Sequence, residues 1–249
     1  MKIAVVGFNG KVGNTVVDSI EKSESHEVAF GVSRSAKNSL KNGVMVYSDF
    51  DNVNSGCDGI IDFSHRDNLS KMLNYAVSEK IPVVIGTTGL TEDDISKIEA
   101  SSKLIPVLCS HNTGFGINIM MGILEKMAAE LADFDIEIIE KHHNRKEDAP
   151  SGTSMMLLDS MKASRPSLHP IYSRNEKFAK RTHDEVGIHS VRGGNIISDH
   201  EVIFAGEDDI LTLSHQALTD ASFAKGAIRG LEYIKNNDCG LYSMADIIK

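Results

Sequence analysis

Along the first half of the chain, short runs of β-branched and other apolar residues alternate with longer stretches whose apolar positions recur at helical spacing. Strands are predicted over 3–6, 27–32, 59–63, 82–85 and 105–108, and helices over 12–22, 66–78 and 91–101. The last helix opens on Thr91-Glu92-Asp93-Asp94, a capping hydroxyl followed by acids that suit the positive end of a helix. Strand and helix in strict alternation predict a parallel sheet flanked by helices.

The pattern then changes. Ile117, Met120, Met121, Leu124, Met127, Ala128 and Leu131 form an apolar stripe that predicts a long helix over 116–131, with the methionines read as core packing. Beyond it, strands are predicted over 134–140, 185–191, 201–204 and 210–215, and a helix over 152–161. Residues 163–180 read as a polar connection holding Pro166 and Pro170. The turn Gly206-Glu207-Asp208-Asp209 pairs the last two strands as a hairpin, so this half is expected to hold an antiparallel or mixed sheet. A final helix over 220–235, with Phe223, Ala227, Ile228 and Leu231 on one stripe, is expected to return to the first domain. The expected division is therefore 1–113 completed by 217–249, and 114–216.

Composition narrows the classes of function. A formal charge of −9 argues against a general binder of nucleic acid or anionic membrane, and no apolar run approaches a membrane span. Cys57, Cys109 and Cys239 are odd in number and form no CxxC pair, which argues against a disulfide framework and fits a reducing cytoplasm.

Gly7-Phe8-Asn9-Gly10-Lys11-Val12-Gly13 follows the first strand and opens the first helix, the place where backbone N–H groups receive a dinucleotide pyrophosphate. Where the second strand ends, an NAD site usually offers an acid to the ribose; here the chain reads Gly31-Val32-Ser33-Arg34-Ser35. Arg34, with Lys11, is expected to hold a 2′-phosphate, which predicts NADPH as the preferred cofactor over NADH. Asp62-Phe63-Ser64 and Gly86-Thr87-Thr88-Gly89 fall at the carboxyl ends of later strands, and Thr87 and Thr88 offer hydroxyls to a nicotinamide.

Reactive groups are densest from Glu140 to Thr153. The N–H groups at Gly152 and Thr153 suit a substrate carboxylate, Lys146 adds positive charge and a proton, and His142 or His143 carries a proton near neutral pH. No HExxH occurs and no cysteine lies nearby, so no metal is expected; Ser151 lacks a nucleophile elbow and reads as a helix cap.

His142-His143-Asn144-Arg145-Lys146-Glu147-Asp148-Ala149-Pro150-Ser151-Gly152-Thr153 resembles the HHxxKxDxPSGT signature of the dihydrodipicolinate reductases. The glycine loop, Gly86-Thr87-Thr88-Gly89, Ser110-His111-Asn112 and Arg192-Gly193-Gly194 fall in that family's order. The resemblance implies an α/β fold: an N-terminal Rossmann-type parallel sheet with a second α+β domain for substrate and oligomerisation. It implies a cytoplasmic homotetramer that reduces a small dicarboxylate, 4-hydroxy-tetrahydrodipicolinate, to tetrahydrodipicolinate with NAD(P)H on the route to diaminopimelate and lysine. It makes His142 the proton donor or acceptor, Lys146 a second proton donor, and His143, Gly152 and Thr153 substrate contacts. Gly7, Phe8, Asn9, Gly10, Lys11, Val12, Arg34, Gly86, Thr87, Thr88, Ser110, His111, Asn112 and Thr113 become cofactor contacts. The chain departs from the family at Ser33, where many members carry an acid, at Thr113-Gly114 in the stretch after Asn112, and at Ser198.

Two other readings compete. An amino-acid or semialdehyde dehydrogenase would share the Rossmann half, but not the histidine–lysine–PSGT segment. A non-catalytic NAD(P)-binding regulator on the same fold would be expected to have lost its proton donors, and His142 and Lys146 are both present.

Overall fold

The computed structural model describes residues 1–172, 174 and 180–248. In chain order the elements are β1 (Lys2–Val6), α1 (Lys11–Glu21), β2 (Glu27–Val32), β3 (Ser39–Lys41), β4 (Val44–Tyr47), β5 (Gly59–Asp62), α2 (Leu69–Glu79), β6 (Val83–Ile85), α3 (Glu92–Ser102) and β7 (Pro106–Cys109). They continue as α4 (Phe115–Glu130), β8 (Asp135–His142), α5 (Gly152–Ser164), β9 (His169–Ile171), β10 (Glu185–Arg192), β11 (Ser198–Ala205), β12 (Ile210–Ala217), α6 (Ala221–Ile234) and β13 (Gly240–Tyr242). Two compact units result, Met1–Phe115 with Asp220–Lys249, and Gly116–Thr219.

Unit 1 is an eight-stranded sheet in the order β13-β7-β6-β5-β1-β2-β4-β3. Every neighbouring pair is parallel except β3 with β4. Both faces are covered, which explains why its inner strands read as continuous apolar runs. Ala4 and Val6 of β1 point into a core shared with Leu69, Met72 and Leu73 of α2 and Ile98 of α3. Ile3 and Val5 point the other way, onto Val16, Val17 and Ile20 of α1 and Ala224, Ala227 and Leu231 of α6. The chain leaves β1 toward β2 on one side and later reaches β5 on the other, so the crevice for a ligand lies at the carboxyl end of β1. The Thr91 cap of α3 is present as a full capping box with Asp94.

Unit 2 has a five-stranded mixed sheet, β12-β11-β8-β10-β9. β10 runs parallel to β8 and β9, whereas β11 runs antiparallel to β8 and β12. Ile117, Met120 and Leu124 of α4 and Leu157, Leu158 and Met161 of α5 pack with Ile136 and Ile138 of β8 and with Val202 and Phe204 of β11. The alternating exposure along β8 places Ile136, Ile138, Glu140 and His142 on that covered face.

Four strands lie outside the predicted set. β3 and β4 form a hairpin joined by Asn42-Gly43, both at positive φ (52° and 80°), the geometry of a two-residue turn. β9 lies within the stretch read as a polar connection, and β13 extends the sheet edge beside β7. Each of β3, β9 and β13 has three residues, too few for a period to show. Of the stretch 163–180, residues 173 and 175–179 lie outside the described residues. The helix predicted over 66–78 starts at Leu69, after a 3₁₀ turn at Arg66–Asn68.

Candidate active site

The glycine loop is built by steric necessity. Gly7 sits at φ +84°, and a Cβ there would lie 2.2 Å from the Phe63 carbonyl oxygen; one at Gly13 would lie 2.0 Å from the Gly7 oxygen. The Gly7 N–H donates to Val32 O at 2.9 Å and Gly10 N–H to Gly7 O at 2.7 Å, closing the turn. Gly10 caps α1 without a side-chain hydrogen bond, so the first-turn donors of α1 have no side-chain cap. A cleft of about 400 Å³ opens here, lined by Gly7, Asn9, Gly10, Ser33, Arg34 and Ser35 among others. Close backbone approach, an uncapped helix start and a nearby guanidinium fit a nucleotide's phosphates.

The predicted cofactor residues differ in how they meet this cleft. Arg34 is exposed and pairs with Asp67 at 2.9 Å, while Lys11 Nζ pairs with Asp220 at 2.6 Å. The Phe8 ring is buried against Gly31, so only its backbone is available to a ligand. Val12 is half-buried and packs into the core beneath α1. Asn9 donates to Ser35 Oγ at 3.2 Å and accepts from Lys41 Nζ at 3.0 Å. Lys41 was not among the predicted residues. The signal for it was the Asn42-Gly43 turn, which brings β3 back along β4 and sets Lys41 over the Phe8 ring, 5.4 Å from its centroid.

The loop after β6 carries Gly86, Thr87 and Thr88. A Cβ at Gly86 would strike the Phe63 ring at 2.2 Å. Thr87 is buried: its hydroxyl donates to Asp62 Oδ2 at 2.7 Å and accepts from the Ser64 N–H at 2.9 Å. Thr88 is exposed. Asp62 is buried with Oδ1 unpartnered among the described residues, and burial pushes its carboxyl up to about 6 against the hydrogen bonds from Ser64 and Thr87. After β7, Ser110 Oγ donates to Asn112 O at 2.8 Å, Asn112 Oδ1 accepts from the Gly114 N–H at 2.9 Å, and Thr113 Oγ1 donates to Phe223 O at 2.7 Å. These three are buried and shape the turn, while His111 is exposed.

In unit 2 the histidine–lysine segment runs from the end of β8 through a loop into α5. His142 is the last residue of β8 and is buried; His143 follows, half-buried. The loop is tightened by Lys146 N–H to His143 O at 3.1 Å, and Lys146 Nζ lies 2.8 Å from Asp148 Oδ1. Ser151 caps α5, accepting from the Ser154 N–H at 3.1 Å, so Gly152 and Thr153 open that helix. Beside this segment lies a largely buried polar cluster to which residue types alone assign no role. Glu140, Arg192, His200 and Ser198 join His142 and Ser151 there. Spacing was a signal: Glu140 and His142 are two apart on a strand and so share a face. Burial alone would push the Glu140 carboxyl up, but hydrogen bonds from His142, Arg192 and Ser190 outweigh it and hold Glu140 well below the usual carboxylate range. Burial and the neighbouring His142 push His200 down to about 3. Among the described residues no group of three His, Cys, Asp or Glu is placed to hold a metal ion, and no helix is long and apolar enough to cross a membrane.

A glycine loop between the first parallel strand and its helix, next to a nucleotide-sized cleft, together with a histidine–lysine segment on a separate mixed sheet, defines a nicotinamide-dependent oxidoreductase of the Rossmann type. The family models agree and go further: dihydrodipicolinate reductase, N-terminus, matches residues 1–113, and dihydrodipicolinate reductase, C-terminus, matches residues 116–248. The chain belongs to the dihydrodipicolinate reductase family. It is similar to the 4-hydroxy-tetrahydrodipicolinate reductase of Caldanaerobacter subterraneus subsp. tengcongensis, at 39% identity over 250 residues, covering 100% of this chain and 98% of that one. The protein of the same name from Staphylococcus epidermidis is also 39% identical, with 99% and 100% covered. Among solved structures, the dipicolinate-bound dihydrodipicolinate reductase from Paenisporosarcina sp. TG-14 has the same fold, with a TM-score of 0.83, 24% identity and coverage of 100% and 99%. The family's enzymes are NAD(P)H-dependent oxidoreductases of lysine and diaminopimelate biosynthesis, which does not favour a non-catalytic regulator.

Proposed function

We propose that this chain reduces 4-hydroxy-tetrahydrodipicolinate with NADPH in preference to NADH, with His142 and Lys146 as its proton-handling residues. The observation that carries this reading is the strand-end, loop and helix-start arrangement of unit 2, which gathers His142, Lys146, Gly152 and Thr153 into one short segment. A dicarboxylate needs positive charge and N–H donors; Lys146 and the start of α5 supply them. His143, Gly152 and Thr153 would orient the substrate and His142 or Lys146 would deliver a proton, the hydride being what a nicotinamide would supply when bound. The relative in the TG-14 structure binds dipicolinate, an aromatic dicarboxylate, which supports a ligand of this class here.

For the nucleotide, Gly7, Asn9, Gly10, Lys11 and the backbone of Phe8 and Val12 would cradle the pyrophosphate. Thr88 and His111, exposed on their loops, would meet the nicotinamide half, with Gly86, Thr87, Ser110, Asn112 and Thr113 shaping those loops. Ser33-Arg34-Ser35 stands in the cleft where an acid would favour NADH. The Arg34–Asp67 pair is an exposed ion pair, worth roughly 0–1 kcal/mol, so exchanging Asp67 for a 2′-phosphate costs little. Steady-state kinetics with both nucleotides, on substrate made in place by the preceding synthase, test this reading. A higher kcat/KM with NADPH is expected, and consumption of neither nucleotide would reject it.

A further inference from the structure

Glu140 is fully buried, with hydrogen-bond partners on both of its oxygens. His142 Nδ1 lies 2.5 Å from Oε2, and Arg192 Nη1 donates to the same oxygen at 2.8 Å. Arg192 Nη2 at 2.7 Å and the Ser151 N–H at 3.2 Å donate to Oε1. An ionised carboxylate accepts only, so a group that shares it with an arginine fork must bring its own proton. Resting on the reading of His142 as the proton donor, we propose that Glu140, clamped by Arg192, is the positioning residue that keeps His142 protonated at Nδ1, so that Nε2 is the atom that passes a proton to substrate.

The rest of the cluster is arranged to the same end. The charged and titratable groups around His142 include Glu140 on β8, Arg192 on β10, His200 on β11, and Lys146 and Asp148 in the loop, with His215 of β12 acting on His200. His200 lies edge-on to the His142 ring, with centroids 5.2 Å apart. Its Nε2 meets Ser151 Oγ at 3.0 Å and its Nδ1 meets Ser198 Oγ at 3.4 Å. His200 is therefore tied to neutral partners and leaves the Glu140 carboxylate to His142. Arg192 Nη2 also donates to Asp148 O at 2.6 Å. One carboxylate thus links the orientation of the His142 ring to the stretch of loop that follows Lys146, at Asp148 by way of Arg192 and at Ser151 directly. When His142 gives up its Nε2 proton, the Nδ1–H tautomer already bonded to Glu140 is the one that remains, so no ring rearrangement is needed before reprotonation.

The test combines ring-nitrogen NMR of isotope-labelled histidine, assigned with His142→Gln, with kinetics of Glu140→Gln and Arg192→Lys. Neutral His142 is expected as the Nδ1–H tautomer in the unmodified enzyme. In Glu140→Gln, where an amide meets donors on every side, the ring is expected to shift toward Nε2–H. Turnover should then fall roughly 10²–10⁴-fold, the loss typical of a misoriented catalytic histidine, with nucleotide KM within about twofold. Arg192→Lys should move both readouts the same way by less. It carries the test together with the unmodified enzyme if Glu140→Gln does not fold. An Nε2–H tautomer in the unmodified enzyme, or an unchanged tautomer in the variants, would overturn the proposal. Undiminished turnover in His142→Gln would instead reject the role of His142 itself, a failure that the tautomer measurement tells apart.

Discussion

Lys146 is placed by a turn to His143 and an ion pair to Asp148, on a loop that ends at the α5 cap. Lys146→Ala removes a cation and a proton donor and leaves the fold's cores untouched. Steady-state assay should show kcat down by roughly 10²–10³-fold, while nucleotide affinity by fluorescence titration stays within about twofold of the parent. His200 carries a different prediction. Its folded pKa, about 3, lies below the unfolded value of 6.5, so below pH 6.5 the unfolded chain takes up a proton that the folded chain refuses. The stability tied to its neutral form is present above pH 6.5 and is lost as pH falls toward 3. Between pH 7 and pH 5 urea unfolding should show the parent losing about 2 kcal/mol more than His200→Gln. Equal losses would mean that His200 is not held neutral.

At the level of elements, the glycine loop is where one methyl group has the largest effect. A Cβ at Gly13 would lie 2.0 Å from the Gly7 carbonyl oxygen, so Gly13→Ala must push α1 away from the end of β1. A stability loss of about 1–3 kcal/mol is expected by thermal unfolding, with nucleotide binding weakened in the same variant; a neutral effect would show that the turn has slack. This loop is legible from the residues because Gly7 and Gly10 follow a buried first strand and Gly13 falls in the first turn of the helix after it. The parallel core was legible for a similar reason: β1, β2, β5, β6 and β7 are covered on both faces and carry unbroken apolar runs. β3 was not, because Ser39, Leu40 and Lys41 are all exposed at the sheet edge and have no buried face to set a pattern. The Asn42-Gly43 pair was the available clue. The Glu140 cluster was hidden differently: its partners come from β8, β10, β11 and the start of α5, and only the strand order shows that Arg192 stands opposite His142.

For the molecule as a whole, the glycine loop and the histidine–lysine segment occupy separate units, with the chain returning through α6 to complete the first. Residue types and their order single out both segments, but the partners that engage each residue come only from the fold. The Thr87 hydroxyl, expected to face the nicotinamide, is engaged by Asp62 and Ser64. Lys11, expected to hold a phosphate, rests on Asp220 at the start of α6. Arg34 therefore carries most of the expected discrimination between nucleotides. Arg34→Ala should raise the KM for NADPH about 10–100-fold, the equivalent of one charge-assisted contact, and leave that for NADH within about twofold.

The reduction and the choice of nucleotide are read by one assay. The direct measurement follows nicotinamide absorbance while the purified chain acts on the product of the preceding synthase, with NADPH and NADH supplied in separate reactions. Oxidation that requires both the synthase product and this chain, faster per unit concentration with NADPH, is the predicted result. Oxidation of neither nucleotide would contradict the proposed reaction, and a clear preference for NADH would contradict the role given to Arg34.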